Sequence, residues 1–182
     1  MSDTMRKYEF SWDLVHPVSD ENPRPRLGPM ASLESYRLFQ FTLRDILEQR
    51  YGTEATDDIF RDAGIMAGRA FYDRYCKGAK DIGELANTIQ EKFKELSIGL
   101  VRFEKVSPDL SELQLTVDED LDCSGLPDTQ EQICVYDEGL IRGILEAHTG
   151  ESYAVKEVDC WCTGERTCRF RAELVKEPDA GK

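Results

Sequence analysis

Five of the six cysteines fall between Cys123 and Cys168, a stretch of 46 residues, while Cys76 stands alone inside a helical pattern. In a reducing compartment such crowding points to metal or redox chemistry, not to disulfides. The spacing Glu157-x2-Cys160-x7-Cys168 has a turn signal, Thr163-Gly164-Glu165, at its centre. It reads as a β-hairpin, whose strands lie about 5 Å apart, so side chains at its mouth converge on one point. Cys134 opens a helical pattern, where the helix dipole favours a thiolate. Cys134, Glu157, Cys160 and Cys168 thus form a set of three thiolates and one carboxylate. Four protein ligands suit a structural zinc ion, whereas a catalytic one keeps an open position. Glu157 and Cys160 have opposite parity on a strand, so the strand has to bulge or end before Cys160.

The rest of the chain is organised around that segment. Residues 1–29 carry Pro17, Pro23, Pro25 and Pro29 and read as an irregular arm. Residues 30–175 read as one domain, and 176–182 as a disordered tail. Ser32 is a fitting N-cap for a first helix with Tyr36, Phe39, Leu43, Ile46 and Leu47 on one face, stopped at Gly52. A second helix, about 56–76, repeats Ala63-Gly64 and Ala67-Gly68. Glycine costs about 1 kcal/mol against alanine inside a helix, so these positions call for close approach of another helix, within the chain or between two copies. Asp81 caps a third helix bearing Leu85, Ile89, Phe93 and Leu96. Strands are expected at 98–106 and 113–117, a fourth helix at 134–150, and two strands at 152–159 and 167–175. Helices followed by strands around one helix make an α+β fold, with N-terminal helices packed on an antiparallel sheet.

Cys134-Val135-Tyr136-Asp137-Glu138-Gly139-Leu140, followed by Val155-Lys156-Glu157 and by Cys160-x7-Cys168-Arg169-Phe170, resembles the signature of 4-vinyl reductase domains. Ser124-Gly125-Leu126-Pro127 fits the same pattern, and the resemblance covers 113–175 most closely. The leading Arg24-Pro25-Arg26-Leu27-Gly28 and the helices after it resemble stand-alone bacterial and archaeal members. The resemblance implies zinc on three Cys and one Glu, matched here by Cys134, Glu157, Cys160 and Cys168. It also implies a fold shared with haem-NO-binding domains and a vesicle-tethering subunit, all enclosing an apolar cavity, and a homodimer. The family's aromatic sensors hold a phenol hydroxyl with a His and a Trp upstream of the zinc site. No His stands between His16 and His148 here, which removes the argument for a phenolic ligand. With no haem-propionate motif and only those two histidines, haem is not expected either.

Phe39, Phe60, Met66, Phe71 and Phe93 are the candidates for lining a cavity, with ordinary core packing as the plainer account. Cys123 and Cys162 are left over. They read as free thiols, as a thiol switch, or as part of an iron-sulfur ligand set. The formal net charge of -13 concentrates between Glu104 and Glu138, which reads as a solvated acidic face that repels nucleic-acid phosphates. No apolar run spans a bilayer and the N-terminus lacks a secretory h-region, so a cytoplasmic protein off the membrane is expected. No dinucleotide, nucleotide or nucleophile-elbow motif appears, so no enzyme is expected. The reading is a sensor or adaptor domain for a small apolar molecule, signalling through a protein partner. The alternatives are an enzyme or accessory factor in tetrapyrrole vinyl reduction, and a thiol or iron-sulfur redox sensor.

Overall fold

The computed structural model describes residues 8–15 and 24–175; His16, most of the N-terminal arm and the 176–182 tail lie outside the described residues. Three helices come first: α1 (Leu33–Tyr51), α2 (Thr53–Phe71) and α3 (Ile82–Glu95). Strands β1 (Leu100–Val106) and β2 (Glu112–Asp118) follow, then α4 (Val135–Thr149), β3 (Tyr153–Asp159) and β4 (Cys168–Leu174). The caps act as the side chains dictate. Ser32 Oγ accepts the N–H of Ser35, and Asp81 Oδ1 accepts that of Glu84. Gly52 both ends α1 and leads into α2, and a widened turn, Tyr72–Cys76, extends α2.

The four strands form one antiparallel sheet in the order β1-β2-β4-β3. Alternation sets its inner face: Leu113, Leu115 and Val117 on β2, Tyr153, Val155 and Glu157 on β3, Cys168, Phe170 and Ala172 on β4 are buried. Helices α3 and α4 lie against the sheet, and Leu85, Ile89, Phe93, Ile141, Ile144 and Leu145 complete the core. Glu157 is thus on the face that meets α4, as its parity requires.

The crossing of α2 and α4 is a contact of backbone on backbone. A Cβ on Gly64 would overlap the carbonyl of Tyr136, and one on Gly68 that of Leu140. Reciprocally, Gly139 and Gly143 face the carbonyls of Arg61 and Ile65. The glycine repeat is therefore used inside the chain, against α4, and offers no surface to a second copy. Ion pairs secure the same crossing. Arg61 of α2 reaches Glu138 at 3.2 Å, and Lys156 of β3 reaches it at 2.9 Å. Glu138, only 1% exposed, also accepts the N–H of Glu157. One carboxylate so ties α2, α4 and β3 together.

Helix α1 stands apart, with no buried residue. Within the described part of the arm, Trp12 meets Tyr75 edge-on, with ring centroids 5.4 Å apart. Among the described residues no helix is long and apolar enough to cross a membrane.

Candidate metal centre and adjoining cavity

Four elements bring the sulfurs together. Cys134 is the residue before α4, Cys160 follows the last residue of β3, Cys168 opens β4, and Cys123 sits in the loop after β2. The pairing of β3 with β4 slips between Glu157 and Asp159, and the chain then turns through Trp161–Thr163 to Gly164, whose φ of 96° suits glycine. That bulge resolves the parity conflict and swings Cys160 to the side of Glu157. The hairpin tip is fastened from outside: Trp161 Nε1 donates to the carbonyl of Leu126, and the carbonyl of Cys162 accepts the N–H groups of Thr129 and Gln130. Asp120 Oδ1 takes the N–H groups of Asp122 and Cys123, which fixes the loop carrying Cys123.

The sulfurs of Cys123, Cys134, Cys160 and Cys168 lie within 4.8 Å of one another, all buried. Cys134 is 3.8 Å from Cys168 and 4.0 Å from Cys160. A tetrahedral ion with metal–sulfur bonds of about 2.3 Å separates its sulfurs by about 3.8 Å, so these spacings fit one ion. Cys123 stands closer, 3.0 Å from Cys168. Glu157 lies outside this group of four sulfurs but beside it. Its Oε2 accepts the N–H of Cys134 at 3.2 Å, while its Oε1 is buried with no hydrogen-bond partner. Cys162 is buried one turn away and is not among the four.

The electrostatics make the same point. Hydrogen bonds from Cys123, Cys134 and Cys168 hold the Cys160 thiol well below the usual range. The contacts with Cys123, Cys160 and Cys168, followed by burial, push Cys134 up. One sulfur takes the charge and its neighbours serve as donors. Burial, then the charge of Cys160, pushes Glu157 up to about 8. A set of thiols and a carboxyl this crowded ionises fully only around a cation.

An apolar cavity of about 310 Å³ lies on the far side of the start of α4, bounded by the arm, α1, α2 and the loops flanking the sheet. Of the sequence candidates only Phe71 lines it. Phe39 and Phe60 line a separate groove of about 290 Å³ between α1 and α2. Met66, half-exposed, borders an open depression. Phe93 packs in the core between α3 and the sheet, 5.5 Å from the Phe71 ring.

The acidic run from Glu104 to Glu138, expected as a solvated face, is buried at the positions that matter. Asp120, Asp122, Asp137 and Glu138 are all under 7% exposed. Asp122 and Asp137 stand at the polar end of the cavity, with Tyr36 and Tyr136 beside them. Tyr36 donates to Asp122 Oδ1 at 2.7 Å, and burial followed by that carboxylate drives its phenol well up. Burial also raises Asp122, against the opposing pull of Tyr36 and Gln40, and pushes Asp120 to about 7. Asp137 is raised by burial first and by Asp120 next. These carboxylates escaped the sequence reading because charge runs normally face water. The interleaved Leu121 and Cys123 were the available sign of an inward-facing loop.

The family model of the vinyl-4-reductase domain matches residues 113–174. Two uncharacterized proteins of Methanocaldococcus jannaschii are similar. MJ0150 is 27% identical over 92% of this chain and 88% of its own length; MJ1642 is 27% identical over 53% of this chain, which spans about half (55%) of that relative. Among solved structures, the phenol-responsive sensory domain of the transcription activator PoxR, with phenol, superposes with a TM-score of 0.63 at 13% identity, over 79% of this chain and 75% of that one. A vinyl-4-reductase family protein of Methanocaldococcus jannaschii gives 0.56 at 18%, over 81% and 83%. An H-NOX protein from S. oneidensis gives 0.54 at 18%, over 81% and 78%. At these identities the structures speak for the fold. Taken with the match over 113–174, they place the chain in the vinyl-4-reductase domain family.

Proposed function

We propose that this chain is a small-molecule-binding sensor or adaptor domain, without catalysis of its own, in which a zinc ion pins the hairpin to α4 and the ligand enters the neighbouring cavity. The observation that carries the reading is the cavity of about 310 Å³ with apolar walls and one polar end. That size is at the lower end of small-molecule sites, and such sites pair apolar walls with a few placed polar groups. The likeness to a sensory domain supports it at the level of fold. Tyr136 and Asp137 line the cavity two and three residues after Cys134, so a ligand rests on a helix start whose position the metal site fixes.

We assign the ion to Cys134, Glu157, Cys160 and Cys168. The orphaned Oε1 of Glu157 needs a positive partner, and the Cys123–Cys168 approach is too short for two corners of one tetrahedron. Sulfurs this close surround one ion and leave no room for an iron-sulfur cluster. In that role the ion holds the fold and offers no open position to a substrate.

The test of the cavity uses neutral apolar probes, propylbenzene and indole, in a thermal-shift titration. A probe at a hundred times its Kd stabilises the fold by about 2.7 kcal/mol, a rise of roughly 5–10 °C for a chain this size. Ala67→Leu, which fills part of the cavity, abolishes the shift. If neither probe shifts the unsubstituted protein, the binding reading fails.

We also propose a homodimer, built on α1 and not on the glycines. Leu38 and Phe39 are each 67% exposed, and Leu43 and Ile46 continue the same apolar surface. A patch of this kind on a helix without buried residues is a usual mark of an interface, and a twofold axis lets it cover itself. Light scattering at micromolar concentration gives twice the chain mass, and Phe39→Glu with Leu43→Glu halves it. A monomer mass for the unsubstituted protein overturns this.

A further inference from the structure

We propose that the cavity takes an apolar amine, its ammonium group meeting the carboxylates of Asp122 and Asp137 and its hydrocarbon body lying against Phe71, Leu140 and Trp12. The inference rests on the small-molecule-binding reading above and adds the chemistry of the ligand.

The argument starts from an acceptor without a donor. Asp122 is only 3% exposed and lines the cavity. Its Oδ1 is satisfied by the Tyr36 hydroxyl at 2.7 Å, but its Oδ2 is buried and has no hydrogen-bond partner. Leaving a buried carboxylate oxygen unpaired is costly, and native structures rarely do so without a bound partner. Asp137, 6% exposed, brings a second carboxyl to the same end. No Lys, Arg or His lines the cavity among the described residues. The nearby Arg37 is committed elsewhere, its guanidinium donating to the carbonyls of Leu121 at 3.1 Å and Ser124 at 2.8 Å.

Two carboxyl groups and no base in an otherwise apolar chamber discriminate sharply among ligands. A carboxylate or phosphate would add like charge in a poorly solvated place. A hydrocarbon would fill the volume and leave Oδ2 unpaired. An alcohol would supply a donor but no counter-charge. An ammonium group supplies up to three donors and the missing positive charge. The indole of Trp12 and the ring of Phe71 then offer aromatic faces for the body of the ligand, and Trp12 adds attraction for the cation.

Isothermal titration calorimetry on the full chain, with its metal retained, separates these cases using four probes of matched size: 2-phenylethylamine, 2-phenylethanol, propylbenzene and 3-phenylpropanoate. The amine is expected to bind at least about tenfold more tightly than the alcohol or the hydrocarbon, as a charged hydrogen bond warrants, and the acid not at all. Asp122→Asn keeps the acceptor for Tyr36 but removes the charge. It should weaken the amine at least about tenfold while leaving propylbenzene unchanged. Should that variant fail to fold, the ranking of the four probes on the unsubstituted protein decides alone. An amine that binds no better than propylbenzene, or an acid that binds as well as the amine, overturns the proposal and leaves the cavity reading standing. Failure of all four probes overturns both.

Discussion

Replacing Cys168 with alanine should empty the metal site and lower the melting temperature by more than about 10 °C, since structural zinc contributes on the order of 10 kcal/mol in isolated zinc peptides. The loss here is smaller than in such peptides because the helical half keeps its own core of Phe71, Leu85, Ile89 and Phe93. It is large nonetheless, because Cys134, Cys160 and Cys168 belong to three elements that meet nowhere else so closely. Elemental analysis should give one zinc per chain for the unsubstituted protein and none for Cys168→Ala. Full metal content in the variant refutes the site. Two milder variants locate the fourth ligand. Cys123→Ser should keep its zinc and lose little stability, whereas Glu157→Gln should lose affinity for the ion. The opposite pattern would assign the fourth corner to Cys123, whose sulfur is already within 4.8 Å of the other three.

The second large effect is expected at the α2–α4 crossing. Gly68→Ala and Gly139→Ala each trade a helix-propensity gain of about 1 kcal/mol against a methyl group driven into a backbone carbonyl. Backbone cannot rotate aside as a side chain does, so the clash prevails. Overpacking of this kind costs about 1–3 kcal/mol and sometimes more, and we expect the upper part of that range, a net fall of roughly 4–8 °C. Gly78→Ala is the control. A Cβ there meets nothing within 4 Å, so the same substitution should be neutral or slightly stabilising. Equal effects at Gly68 and Gly78 would show that the crossing tolerates separation. Calorimetry on the three variants decides it. The damage should also reach the metal centre, because Glu138 joins α2 to α4 and accepts the N–H of Glu157.

Sequence by itself determined the elements and most of the metal set. The apolar period along α3, the alternation along β2 and the caps Ser32 and Asp81 are local signals, fixed by backbone geometry within a few residues. The glycine repeat announced a close helix contact for the same reason: only a missing Cβ at intervals of four makes a flat strip. The parity of Glu157 and Cys160 even required the bulge that the β3–β4 pairing contains. Only the tertiary structure decided which surface met the glycines, and it chose α4 over a second copy. It alone brought Cys123 to the other sulfurs, because the loop after β2 joins the hairpin across 45 residues of chain. It also turned the acids Asp120, Asp122 and Asp137 inward, where sequence reads charge as solvated. The physical reason is common to all three cases. Spacing encodes what a residue does to its own helix or strand, while burial and partner choice depend on which distant surface arrives to cover it. A chemical preference such as the one proposed for the cavity is therefore written in the packing of α1, α2 and α4 around a loop that looks, in one dimension, like any other acidic stretch.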